Sequence, residues 1–158
     1  MNTERTTTQF TIEFPISPAW FQTIRRLMST TSKQCGFSDR DAGQISMAVD
    51  EAMANIHKHG YQLDKSGRVT LQVTTHITPA TRIDIQLDDE TEHVDLESIR
   101  SRELEDIRPG GLGVHLIQTI MDESNWSKRE SGGVRLVLSK KRKNHPHMKS
   151  VKCEGTHG

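Results

Sequence analysis

Apolar residues recur every three or four positions in three stretches of the chain and alternate with polar ones in five others. Residues 8–14 (TQFTIEF) alternate well enough for a half-buried strand, closed by Pro15. Ser17-Pro18 then opens a helix, with Ser17 the candidate N-cap and Pro18 in the first helical position. Trp20, Phe21, Ile24, Leu27 and Met28 form its apolar stripe, and it runs down near Gly36. Ser38 starts a second helix, where Asp41 three residues on predicts a capping box with Asp in place of Glu. Ile45, Ala48, Val49, Ala52, Met53 and Ile56 give this helix a continuous apolar face, and Gly60 is its expected left-handed stop.

Two alternating segments follow, 68–77 and 81–87, joined by a turn at Thr78-Pro79-Ala80; they predict an antiparallel pair. Residues 88–108 are polar, with 11 charged or histidine residues between Asp88 and Glu105, and predict a loop containing a short helix. Gly110-Gly111-Leu112-Gly113 leads into Val114, Leu116, Ile117, Ile120 and Met121, a third amphipathic helix. Residues 124–130 and 134–139 predict a last hairpin about Ser131-Gly132-Gly133. The order β-α-α-β-β-loop-α-β-β implies an α+β, two-layer sandwich with helices packed on one face of a mostly antiparallel mixed sheet. No repeat or second domain is visible: residues 1–141 read as one domain and 142–158 as a basic tail expected to be disordered.

Composition narrows this picture. Hydrophobic residues make up 32% of the 158 positions, mean hydropathy is −0.65, and no apolar run approaches the ~18 residues of a spanning helix. The N-terminus lacks the apolar region of a secretory signal, and Cys35 and Cys153 sit in no metal or redox spacing, which suits a reducing cytoplasm. The 21 basic and 21 acidic residues sum to zero, which argues against direct nucleic-acid or membrane binding. That zero joins unlike parts, however. Six basic residues (Lys140, Lys141, Arg142, Lys143, Lys149, Lys152) and one acid (Glu154) end the chain at +5, leaving a body at −5. As the end of an edge strand, the run Lys140–Lys143 is expected to keep that edge soluble.

Two segments could carry chemistry. Glu51, Asn55 and His59 lie at i, i+4 and i+8, on one stripe of the second helix. A carboxylate there can act as a base. The neutral oxygen of Asn55 suits Mg²⁺, which takes one or two protein ligands and completes its shell with phosphates and water. The same spacing also fits an ordinary solvated helix face. The glycines of Pro109-Gly110-Gly111-Leu112-Gly113 free backbone N–H groups to face outward just before a helix N-terminus, the physics of a phosphate cradle, although glycines also make plain loops. His145, His147 and His157 lack suitably spaced acidic or cysteine partners, so they read as part of a solvated tail.

Taken together, Ala48–Tyr61 (AVDEAMANIHKHGY) and Gly110–Glu123 (GGLGVHLIQTIMDE) resemble the N box and G2 box of the GHKL, or Bergerat-fold, ATPases. The chain is most similar to their small stand-alone branch, the anti-sigma factors that are also serine-protein kinases. The resemblance spans roughly residues 8–141. It implies that Asn55 holds Mg²⁺ on the phosphates of ATP and that Glu51 is the general base for an attacking serine hydroxyl. It also places His59, Asp89, Arg108, Gly111, Leu112, Gly113 and Val114 around the nucleotide. Asp89 would accept a hydrogen bond from the adenine amino group, Arg108 would neutralise γ-phosphate charge, and Gly111 and Gly113 would be hinges over the phosphates. The implied partners are a sigma factor and a STAS-domain anti-anti-sigma protein, and the implied assembly is a homodimer. The G1 box departs from the family pattern: Thr91 stands where a glycine is usual, and adjacent Asp88 leaves the register open by one. A partner-switching binding protein with a degenerate nucleotide site is therefore the alternative reading.

Overall fold

The computed structural model describes residues 6–60, 67–77, 81–91 and 112–143. Strand β1 (Thr7–Pro15) leads into the helices α1 (Pro18–Gln34) and α2 (Asp39–Asn55), and one π-helical turn, Ile56–Gly60, extends α2. Strands β2 (Arg68–His76) and β3 (Arg82–Asp89) follow, then α3 (Leu112–Ile120), β4 (Glu123–Lys128) and β5 (Val134–Lys141). The sheet order is β1-β2-β3-β5-β4, and each of these neighbouring pairs is antiparallel. The expected turn at 78–80, the loop helix and the tail beyond Lys143 lie outside the described residues.

Alternation decides which side of the sheet meets the helices. Phe14, Val69, Leu71, Val73, Ile83, Ile85, Leu87, Leu136 and Leu138 point to one face and are buried. Ile24 and Met28 of α1, Ile45, Val49 and Met53 of α2, and Ile117 of α3 close over them. Truncating any of the larger ones to Ala leaves a cavity costing about 2–5 kcal/mol. The other face is polar. Along one register row Thr7, His76, Arg82 and Lys141 stand side by side, and along another Glu13, Thr70, Asp88, Arg135 and Ser127. All layers of helix therefore lie on one side, as the alternating sequence requires.

The helix ends differ in detail from the sequence reading. Ser17 has the extended backbone of an N-cap, but its side chain caps nothing. The Ser38 hydroxyl accepts from the Asp41 N–H at 3.1 Å and donates to the Asp41 carboxylate at 2.9 Å, so Asp41 holds the cap itself rather than reaching the Ser38 N–H. Gly60 is not a left-handed stop: the described glycines with positive φ are Gly36, Gly132 and Gly133. Nor is β5 an edge strand, because it lies between β3 and β4. Its basic residues work locally instead. Lys140 Nζ donates to the Ile120 carbonyl at the end of α3, and Arg142 donates to the Gly36 carbonyl in the α1–α2 turn at 3.2 Å.

Candidate functional site

The stripe carrying Glu51 and Asn55 emerges at the C-terminal end of α2, because Ala48, Val49, Ala52 and Met53 commit the opposite face to the core. Both polar residues are half-buried. The π-helical turn begins directly after Asn55 and widens the helix where the stripe ends. Within that turn His57 is buried, its ring edge-on to Phe21 at 6.1 Å, and its Nε2 has no hydrogen-bond partner among the described residues. His57 thus faces the core. The side chain of His59 lies outside what the structure describes.

Helix α3 packs on α2 through Val114 and Ile117, and this brings the second motif to the first. A Cβ built on Gly113 would lie 1.9 Å from Glu51 Oε1, 2.7 Å from its Cδ and 2.9 Å from its Cγ. The end of the Glu51 side chain therefore rests on the backbone of the first turn of α3. Leu112 is exposed, whereas the Val114 side chain is buried and leaves only its backbone to a ligand. Arg108 and Gly111 lie outside the described residues.

Asp89 and Asp88 point opposite ways, as neighbours in a strand must. Asp88 lies on the polar face, held by Arg135 through two hydrogen bonds of 2.8 and 2.7 Å. Asp89 lies on the helix side and is only 3% exposed. Its Oδ1 accepts from the Thr91 N–H at 2.8 Å and, more weakly, from the Val134 N–H at 3.4 Å. Burial pushes its pKa above the ordinary Asp value; the two amides and the nearby Arg129 pull the other way without cancelling it. Of the two carboxylates, only Asp89 is aimed inside.

Three residues that support this arrangement went unrecognised in the sequence. Gly133 has φ +86°, and a Cβ there would lie 1.9 Å from the Asp89 carbonyl oxygen, so the β4–β5 hairpin can fold onto the end of β3 only with glycine at that position. Arg129 Nη1 donates to the same carbonyl at 2.7 Å. Gly60 makes room for Thr91, whose Oγ1 would sit 2.7 Å from a Cβ on residue 60. A Gly-Gly pair between strands signals a turn, but nothing in it names Asp89 as the neighbour. Among the described residues no group of three or more His, Cys, Asp and Glu could hold a metal ion. A lone Asn55 oxygen fits a cation that takes most of its ligands from phosphate and water.

The profile of the histidine kinase-like ATPase domain matches residues 14–140, which include both motifs and the whole sheet. The chain belongs to that family. Within it, similar chains include serine-protein kinases named RsbW. That of Listeria monocytogenes EGD-e is 28% identical over 141 residues, covering 84% of this chain and 86% of the relative. That of Bacillus subtilis 168 is 25% identical over 137 residues, covering 82% of each. Among solved structures, the SiaB–SiaC complex of Pseudomonas aeruginosa contains a similar chain, with a TM-score of 0.59 and 15% identity, over 84% of this chain and 88% of that one. The RsbU and RsbW domains of Rv1364c from Mycobacterium tuberculosis align with a TM-score of 0.61 and 17% identity, over 88% of this chain and 33% of that one. These structural likenesses establish the fold, which is the α+β sandwich expected from the element order.

Proposed function

We propose that this protein is an anti-sigma factor with serine/threonine kinase activity, which uses Mg-ATP to phosphorylate a serine of a STAS-domain antagonist. The observation that carries the reading is the contact of Glu51 with Gly113. It joins a carboxylate, a carboxamide one turn away and a helix N-terminus, the three parts that phosphoryl transfer needs. Names of the relatives as serine-protein kinases support the reaction class.

In this reading Asp89 accepts from the adenine amino group, with its Oδ1 already fixed by two backbone amides. Asn55 supplies the protein oxygen for Mg²⁺, and the bound ion neutralises charge on the phosphates. Glu51 takes the proton from the acceptor serine as its oxygen bonds to the γ-phosphorus and the bond to ADP breaks. Phosphoserine then carries about −1.5 to −2 charges and is repelled by a body at −5. The Arg108 guanidinium and the Gly111 and Gly113 backbones complete the phosphate contacts. The protein works as a homodimer in the cytoplasm and touches neither nucleic acid nor membrane.

The second reading keeps sigma binding and discards catalysis, and the observation behind it is Thr91 in the usual glycine position. One experiment separates the two. The protein, Glu51→Ala and Asn55→Ala are each incubated with γ-labelled ATP, Mg²⁺ and the STAS-domain proteins of the same genome. Kinase activity predicts label on one STAS protein with the unaltered chain and at least 100-fold less with either variant. Absence of Mg-ATP binding by calorimetry at millimolar concentration leaves the binding protein.

A further inference from the structure

The contact between Glu51 and Gly113 has a consequence for turnover as well as for placement. Three consecutive atoms of Glu51, Cγ, Cδ and Oε1, lie within 2.9 Å of where a Cβ on residue 113 would be. A methyl group there must move Oε1 by about 1 Å or more before the two reach ordinary contact. The obstructing atoms are the free end of a flexible side chain, so Glu51 swings aside while α3 stays seated through buried Val114 and Ile117.

We infer that Gly113 is a positioning residue for Glu51: the bare backbone at 113 sets where the carboxylate rests, and so sets the rate of proton transfer. This role is separate from any contact of residue 113 with phosphate, and its catalytic part rests on the kinase reading above. A general base works only within hydrogen-bond reach of its proton, and a 1 Å misplacement can cost about 100-fold. Aspartate at 51 withdraws the carboxylate by about one bond length, 1.5 Å, which removes the closest conflict, at Oε1, and leaves the carboxyl carbon in the Cγ place 2.9 Å away.

The test is a double-mutant cycle, read with the STAS-domain acceptor that takes label and with a fluorescent ATP analogue for affinity. Gly113→Ala is expected to lower kcat about 10–100-fold while nucleotide Kd changes less than about threefold. In the Glu51→Asp background the same Gly113→Ala change is expected to leave kcat within about twofold, because the two substitutions act on one contact. A loss of nucleotide affinity with kcat at saturation unchanged, or the full Gly113→Ala loss in both backgrounds, overturns the inference. A second readout needs no nucleotide. In ¹³C-labelled protein the Glu51 carboxyl resonance, assigned by its loss in Glu51→Gln, is expected to shift in Gly113→Ala while that of Glu13 stays fixed. An unmoved Glu51 resonance overturns the positioning role. If no STAS protein accepts label from the unaltered chain, the kinase reading falls, and this resonance still decides the contact.

Discussion

Asp89 shows how a single side chain can be held against its own preference. It is nearly fully buried, and its carboxyl has a raised pKa because burial disfavours the charge. A group whose folded pKa exceeds its unfolded value favours the fold below the unfolded pKa and loses that contribution as pH rises through the folded pKa. Asp89→Asn keeps an oxygen for the Thr91 and Val134 amides and removes the buried charge. Melting curves are therefore expected to show a higher Tm for the variant at pH 7, by roughly 2–4 °C per kcal/mol relieved. That advantage shrinks as pH falls toward the ordinary Asp value of 3.8. On the proposed nucleotide reading the same variant is expected to lose nucleotide binding, since an amide presents an N–H where the adenine amino group would need an acceptor. A variant that is less stable at pH 7, or that still binds, contradicts this account. Thr91 and Gly60 are a second such case. Gly60→Ala places a methyl 2.7 Å from Thr91 Oγ1 and is expected to cost about 1–3 kcal/mol, largely recovered by adding Thr91→Gly. Denaturant unfolding of the single and double variants measures the recovery. Thr91 is thus housed by Gly60, a pairing that sequence spacing does not display.

Helices and strands were far more legible than the contacts between them. Apolar periodicity located α1, α2, α3 and all five strands to within a few residues, because each buries one face and the period is a direct record of that burial. The π-helical turn at Ile56–Gly60 left no such record. It changes which backbone groups pair, while the apolar stripe through Ile56 continues as a helix would predict. Strand order was equally hidden: the basic end of β5 looked like an edge because neighbours in the sheet are set by distant chain. With β5 placed inside, Lys140 becomes a cap for α3, donating to the Ile120 carbonyl and lying 3.5 Å from Asp122. A cation at a helix C-terminus contributes about 0.3–1 kcal/mol, up to ~2 when partly buried. Lys140 is 12% exposed, which favours the upper part of that range. Lys140→Met keeps the aliphatic stem and is expected to destabilise the protein by about 1–2 kcal/mol by denaturant unfolding. Hydrogen exchange is expected to rise first in α3. Unchanged exchange there would mean the cap does not hold the helix that carries Gly113.

Asp84 and Asp89, on opposite faces of the same strand, respond to acid in opposite directions. On the open face one row of hydrogen bonds, ended by an ion pair, crosses all five strands, from Thr7 to His76 at 3.2 Å and from His76 to Asp84 at 3.0 Å. Arg82 continues it at 2.7 Å from Asp84, then to Ser139 and, at 3.8 Å, to Glu123. Burial pushes the Asp84 pKa upward, but the hydrogen bonds from Ser139, Arg82 and His76 and the Arg82 charge outweigh it, so the net direction is down. The sign is therefore opposite to that of Asp89. A depressed carboxyl contributes stability above its unfolded pKa and loses it as pH falls through the folded value. Asp84→Asn is expected to cost about 1–3 kcal/mol at pH 7, since Arg82 and His76 lose their charged acceptor. Its deficit against the unaltered protein is expected to shrink as pH falls below the ordinary Asp value of 3.8 and on through the lower value of the folded carboxyl. Thermal melts of both Asn variants from pH 3 to 7.5 are thus expected to give two curves that start on opposite sides of the native protein at neutral pH and approach it in acid. Charge at Asp84 favours the fold and charge at Asp89 opposes it, so two substitutions shifting Tm the same way at pH 7 would refute that contrast.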